Sequence, residues 1–157
     1  MSGPVTLRPL SPEDANAYRV IDLPEDQQVF GGRPAAAFDD LPDCMDLFGI
    51  EGAGQPVGLF RIDRDYERYD FAEPGDMGLR FFIVDHGHQG QGIAAAALAA
   101  LPDLVRRRYP DARAMALTVN LRNHGAYRVY QRAGFVDTGA HYLGGGVGPQ
   151  HVMRMPL

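Results

Sequence analysis

The sequence predicts an α+β domain built around a mixed β-sheet, and three observations lead to this prediction. Short apolar segments with strand character occur from the first ten residues to the last ten. An alanine-rich segment at 91–108 is typical of a helix, and a second helical segment follows at 123–133. The 157 residues are sufficient for one compact domain, 1–157. The predicted order is β-α-α-β-β-β-α-β-α-β-β, in which strands and helices do not alternate strictly.

The first part of the chain is predicted to hold a strand, a broken helical region and a hairpin. Ser11 is expected to begin the helical region, since Pro12 and two acids follow it in the first turn. The predicted elements are a strand at 5–10, helical pieces up to about 38 with interruptions near Pro24 and at 31–34, and strands at 44–50 and 57–62 around a turn at 51–55.

The second part is predicted to contain the remaining strands and the two longer helices. Segment 65–76 is polar, carries several aromatic residues and ends in Pro74-Gly75, so it is expected to be a loop. The predicted elements are strands at 77–84, 114–119, 135–143 and 151–155, with helices at 91–108 and 123–133.

Composition limits the function classes. The net charge is −5, which argues against a nucleic-acid partner and mildly favours a cationic substrate. No segment approaches the roughly 18 apolar residues that span a bilayer, and none resembles a signal peptide. We therefore expect a cytoplasmic protein with no membrane partner. The single cysteine, Cys44, leaves no internal disulfide.

The segment from strand 77–84 into helix 91–108 carries the strongest chemical signal. Gly90, Gly92 and the small Ala94 leave backbone amides bare at a helix start, which is a site for a phosphate or pyrophosphate. The alternative is a tight turn that needs glycine for its dihedral angles. A P-loop is excluded because the chain has no lysine. A dinucleotide fold is disfavoured because strand 114–119 ends in Asn120 and not in an acid.

Two motifs resemble those of GNAT-type N-acetyltransferases. Gln89-Gly-Gln-Gly-Ile-Ala94 is similar to the signature Q/R-x-x-G-x-G/A. Asn123-His-Gly-Ala-Tyr-Arg-Val-Tyr-Gln-Arg-Ala-Gly-Phe135 is similar to N-x-x-A-x-x-x-Y-x-x-x-G-F. The resemblance implies a mostly antiparallel central sheet flanked by helices, and transfer of acetyl from acetyl-coenzyme A to an amine. The segments 7–10 and 27–30 look more specifically like those of spermine/spermidine acetyltransferases.

The resemblance also implies which residues hold the cofactor. The main chain of Ile83 and Val84 would pair with the pantetheine arm as an added strand does. The pyrophosphate would be held by a run of backbone amides, those of Gln89, Gly90, Gln91, Gly92, Ile93 and Ala94. Asn123 would bond the pantetheine, and its simpler role is that of a helix N-cap.

The position of Tyr130 in the second motif implies, by the resemblance, that it is the general acid. A phenol suits this role, since it is protonated at neutral pH and is close in acidity to the departing thiol. The alternative role of Tyr130 is packing. The general base stays open among seven residues, Glu67, Asp70, Glu73, Asp76, Asp85, His86 and His141. The resemblance adds a chain of water molecules as a further alternative. The acids at 67–76 lie where members of this family often line the acceptor pocket, so the resemblance implies that they line it here, which would suit a cationic amine.

The remaining expectations concern partners and rival functions. No metal is expected, because His86 and His88 lack a third ligand nearby. A homodimer is consistent with the resemblance. The leading acceptor is a small cationic amine such as a polyamine, with protein N-termini, amino acids and aminoglycosides left open. A non-catalytic acetyl-coenzyme A sensor and a nucleotide-binding module are the rival classes.

Overall fold

The computed structural model describes residues 4–157, and its centre is a seven-stranded sheet. The strands are β1 Val5–Pro9, β2 Met45–Gly52, β3 Gln55–Asp63, β4 Asp76–Val84, β5 Ala114–Asn120, β6 Val136–Tyr142 and β7 Gln150–Pro156. Their order is β1-β2-β3-β4-β5-β7-β6. Only β4 and β5 are parallel among these strands of residues 4–157, so the predicted mixed and mostly antiparallel sheet is confirmed.

Three α-helices accompany the sheet in the described part of the chain: α1 Glu25–Gly31, α2 Ile93–Arg108 and α3 His124–Ala133. The helical region between β1 and β2 is more fragmented than predicted. It consists of α1 and short 3-10 turns at Pro12–Asp14, Ala17–Val20 and Pro34–Phe38. Prolines at 12, 24 and 34 explain this fragmentation, because a proline lacks the N–H that continues a helix.

Hydrophobic residues fill both faces of the sheet because successive strand residues point to opposite sides. Phe48 and Phe60 belong to the larger cluster, which they share with the apolar side of α2. Leu47 and Leu59, their neighbours in sequence, belong to a second cluster on the other face with Tyr18 from a 3-10 turn. The sheet is therefore covered on both sides.

β4 and β5 separate soon after they begin. They pair only between Asp76–Gly78 and Ala114–Ala116. On its other side β4 contains a bulge, since Arg61 of β3 faces Arg80 whereas Leu59 faces Ile83. Phe81 lies in this bulge with φ 58°, a left-handed conformation that is uncommon for a bulky residue. The rest of β4 consequently has a backbone edge that faces a gap toward β5.

Across residues 4–157, no helix has both the length and the apolar character needed to cross a lipid bilayer.

Candidate functional site

Two cavities meet in the gap between β4 and β5. One, of about 890 Å³, runs along the turn that precedes α2, and we call it the glycine-turn cavity. The other, of about 590 Å³, is lined by many rings, and we call it the aromatic cavity. Five residues line both cavities: Phe30, Phe82, Asn123, Ala126 and Tyr130. A group that enters from either side can therefore reach this common wall.

The residues predicted to hold a cofactor lie together. Nearly all of the predicted site residues line the glycine-turn cavity, namely Ile83, Val84, Gln89, Gly90, Gly92, Ile93, Ala94, Asn123 and Tyr130. Gln91 alone among them does not line it. The two motifs, which are separated by β5 in the sequence, therefore form one continuous surface.

The turn before α2 requires glycine and leaves open space. Gly90 and Gly92 have φ values of 82° and 77°, which residues other than glycine rarely adopt. A Cβ at either position would meet no atom within 4 Å. Because Gly92 caps the helix, α2 begins at Ile93 and not at Gln91 as predicted. The interpretation as a tight turn that needs glycine therefore holds. The amides of the first helical turn have no partner within the helix, so a phosphate site at this turn stays a prediction.

Gln89 and Asp85 anchor this turn, a role that the sequence did not reveal. The Gln89 side chain donates to the Val84 carbonyl at 3.1 Å and exchanges hydrogen bonds with the amide of Gln27 in α1. Asp85 is buried, accepts from the backbone N–H of Asp22 at 2.8 Å, and lies 2.8 Å from Nδ1 of His88. As a candidate base, Asp85 is therefore already occupied by structural contacts.

Tyr130 stands at the junction of the two cavities. Its ring packs edge-on against Phe82 and Phe135, with centroids 6.2 and 5.9 Å away. The residue is half-buried, and its hydroxyl has no hydrogen-bond partner within the part of the chain that the structure describes. Burial among apolar rings raises the pKa of the Tyr130 phenol well above its ordinary value. The phenol therefore stays protonated far into the alkaline range.

Asn123 begins α3 as an N-cap, since its Oδ1 accepts from the backbone N–H of Ala126 at 3.3 Å. The simpler of its two predicted roles is therefore present. The same residue borders both cavities, so a second contact from its side-chain amide remains sterically open.

The aromatic cavity differs from the expected acceptor pocket. Its rings form a contiguous cluster on one side, made of Tyr66, Tyr69, Phe71 and Tyr142. The expectation that the acids of 67–76 line it is wrong, because none of them does. Asp76 and Glu73 bind Arg154 of β7 at 2.9 and 3.1 Å, while Glu67 and Asp70 are exposed elsewhere.

The other candidate bases also lie apart from the cavities. His86 and His141 are exposed and line neither of them. Between residues 4 and 157, no three His, Cys, Asp or Glu side chains come close enough together to hold a metal ion.

A sequence profile of the Acetyltransferase (GNAT) family matches residues 15–135, which is most of the chain. The chain belongs to this family. It is accordingly an N-acetyltransferase that uses acetyl-coenzyme A as its cosubstrate, which confirms the prediction made from the two motifs. A comparison with curated protein sequences gives no match.

Solved structures share the GNAT fold with this chain. Aminoglycoside acetyltransferase AAC(6')-Ib, in complex with paromomycin and acetyl-coenzyme A, is 20% identical with a TM-score of 0.77, over 98% of this chain and 93% of its own. Spermidine N-acetyltransferase from Vibrio cholerae, in complex with coenzyme A and spermine, is 19% identical with a TM-score of 0.72, over 97% and 95%. At such identities the likeness establishes the fold.

Proposed function

We propose that the protein transfers the acetyl group of acetyl-coenzyme A directly to a primary amine of a small molecule, with Tyr130 as the general acid. The observation that carries this proposal is the position of Tyr130. Where the two cavities meet, its hydroxyl is free of partners from residues 4–157. An acyl donor in one cavity and an amine in the other would share this wall, and such proximity is a large part of catalysis in two-substrate reactions.

The glycine-turn cavity suits the cosubstrate. The amides at the start of α2 and the dipole of this 16-residue helix favour a pyrophosphate, and the space beside Gly90 and Gly92 leaves room for it. On its side toward β5, β4 has no strand partner at Ile83 and Val84, and this edge would bind the amide-containing pantetheine arm as a strand. The Gln89 side chain, which donates to the Val84 carbonyl, would have to share that oxygen or release it. Asn123 would contact the same arm through its side-chain amide. The thioester that these residues position supplies the acetyl group.

Tyr130 would act by giving its proton to the departing thiolate. The apolar surroundings that raise the pKa of Tyr130 also disfavour a thiolate anion in the same place, so they raise the proton affinity of the leaving sulfur. The raised proton affinity of the sulfur therefore offsets part of the weak acidity of the phenol. The amine must arrive neutral, and water is the candidate for removing its second proton, since no carboxylate among residues 4–157 lines the aromatic cavity.

A thiol-release screen tests the proposal. The panel contains polyamines, the class predicted from the N-terminal resemblance, together with aminoglycosides, amino acids and peptides with free N-termini. Release of coenzyme A that depends on both the protein and one amine class supports the proposal. Binding of acetyl-coenzyme A without release on any amine would indicate the sensor function and contradict it.

The homodimer stays a prediction, and light scattering on the purified chain would measure its oligomeric state.

A further inference from the structure

The charged side chains that line the aromatic cavity are all positive. Among its described lining residues, the charged side chains are Arg61 of β3 and Arg80 of β4, and no carboxylate is present. The arrangement is unexpected in a protein whose net charge is −5. A polyamine would bring two or more positive charges to this wall.

Arg61 is bound to main-chain oxygens and has no carboxylate partner among the described residues. Its Nη2 donates to three carbonyl oxygens around the 3-10 turn Pro34–Phe38, those of Ala36, Ala37 and Asp39, at 3.4, 2.7 and 3.2 Å. No carboxylate of residues 4–157 lies within 4.0 Å of it, and its buried Nε–H has no partner there. Burial and repulsion from Arg80 lower the pKa of Arg61, and Asp39 offsets part of this effect.

Arg80 is only partly neutralised. Its Nη1 donates to the Tyr69 hydroxyl at 2.9 Å and lies 3.7 Å from Asp63, which is fully buried. Asp63 already binds Arg68 at 2.8 Å. One carboxylate thus serves two arginines, and with Arg61 the wall keeps an excess of positive charge.

The aromatic rings of the cavity do not make it attractive to a cation in spite of this positive charge. Aromatic faces can attract a cation. Here two faces are already covered by guanidinium groups of the chain, Phe81 by Arg61 at 5.0 Å and Tyr69 by Arg68 at 4.5 Å. A further cation would meet these charges, whereas an anion would be attracted by them.

From this wall we infer that the acceptor is an amine that also carries a carboxylate, which Arg61 and Arg80 bind while the rings hold an apolar body. Amines of the α-amino acid type, with aromatic or large apolar side chains, have this chemistry. The inference rests on the proposed function for the identity of the cavity as the acceptor site. Guanidinium groups suit it because they bind carboxylates through paired hydrogen bonds.

The experiment compares amino acids with their amides, which keep the amine and side chain but lose the negative charge. Binding to the full chain saturated with coenzyme A is measured by titration calorimetry, and turnover is measured separately by thiol release. We expect at least one apolar amino acid to bind ~10-fold or more tightly than its amide. Arg80→Gln and Arg61→Gln should each reduce that preference by a similar factor. Arg106→Gln, a matched change on exposed α2, should leave it unchanged.

Equal or tighter binding of the amides, or no binding of any amino acid, overturns the inference. A preference that persists in both cavity variants also overturns it; if Arg61→Gln does not fold, Arg80→Gln alone decides. Turnover of spermidine or aminoglycosides without a preference for carboxylates would overturn the inference and keep the proposed function. Preferential binding of amino acids without thiol release on any amine would support the inferred carboxylate site and contradict the proposed function.

Discussion

At the scale of single residues, Tyr130 has a position that packing alone does not explain. A tyrosine placed only for packing could be replaced by phenylalanine with little loss, because its hydroxyl would add nothing to the packing. The Tyr130 hydroxyl has no partner among residues 4–157, and the half-buried residue faces both cavities, where a bound group could reach that hydroxyl. Its ring packs as a core residue does, so under the proposed function packing and catalysis would fall to different atoms of one side chain.

Tyr130→Phe therefore should keep the fold and lose turnover. We expect kcat to fall by ~100-fold or more, the usual effect of removing a positioned proton donor. The Kd of acetyl-coenzyme A should change little, because its proposed phosphate and pantetheine contacts lie elsewhere. Steady-state kinetics with one confirmed amine and calorimetry with the cosubstrate measure the two quantities. A wild-type kcat in this variant would leave Tyr130 with a packing role only.

The pH dependence of kcat should also reflect this residue. The folded-state pKa of Tyr130 is raised, so the phenol keeps its proton as the pH rises past the ordinary phenol value of about 10. The loss of a protonated acid should therefore cause no decline of kcat below that pH. We expect kcat to rise with pH, as the amine becomes neutral, and then to level off. A decline between neutral pH and about pH 9, with the protein still folded, would contradict this assignment.

Asn123 can be tested for two roles at once. Asn123→Ala removes the helix cap and the amide, and should lower the free energy of unfolding by about 1 kcal/mol. Asn123→Ser keeps an oxygen that can cap α3 and removes only the amide. If Asn123 contacts pantetheine, both variants should raise the KM for acetyl-coenzyme A, whereas only the alanine variant should unfold more easily in urea. If the KM for acetyl-coenzyme A rises only in Asn123→Ala, the variant that also loses stability, Asn123 acts as an N-cap and does not contact pantetheine.

At the scale of elements, the turn between β4 and α2 was predictable because its signal is local. Gly90 and Gly92 adopt a left-handed backbone and leave open space beside the turn. Both properties follow from the presence of glycine at these positions, so the sequence alone predicts them. The bulge at Phe81 was not predictable, since it arises from the register of β4 against β3. The gap between β4 and β5 also depends on pairing between distant segments.

Two substitutions at Gly92 separate strain from charge. Gly92→Ala and Gly92→Glu both place a side chain at φ 77°, so each should lose about 1 kcal/mol or more of stability. Only the glutamate adds negative charge at the start of α2. We expect the alanine variant to keep a rise in Tm on addition of acetyl-coenzyme A, and the glutamate variant to lose it. Normal binding of coenzyme A by folded Gly92→Glu would place the pyrophosphate elsewhere.

At the scale of the whole molecule, the sheet has two parts joined by a short seam, the pairing of β4 with β5. Only three residue pairs of the described chain make up this seam, and Arg154 of β7 reinforces it by binding Asp76. This contact also explains why the predicted acidic acceptor pocket was wrong. Arg154, the partner of Asp76 and Glu73, lies 78 residues beyond Asp76 in the sequence. The sequence pattern around residues 67–76 therefore gave no sign that these two acids are paired.

The strength of this seam gives a prediction about stability. The Asp76 side chain is 1% exposed, and Arg154 is its ionic partner. Arg154→Ala would leave a buried carboxylate without a counter-ion, although the N–H of Glu73 still donates to it at 2.9 Å. We expect a loss of about 3 kcal/mol in the free energy of unfolding.

Glu73→Ala is the matched control for this seam. It removes the other carboxylate that binds Arg154, but the Glu73 side chain is 61% exposed, so the loss should stay below about 1 kcal/mol. Urea unfolding of both variants and of the parent chain compares the two costs. Equal losses would show that the seam does not depend on the buried pair. A larger loss in Arg154→Ala would mean that β7 stabilises the junction of β4 and β5, the place from which the gap between the two strands opens.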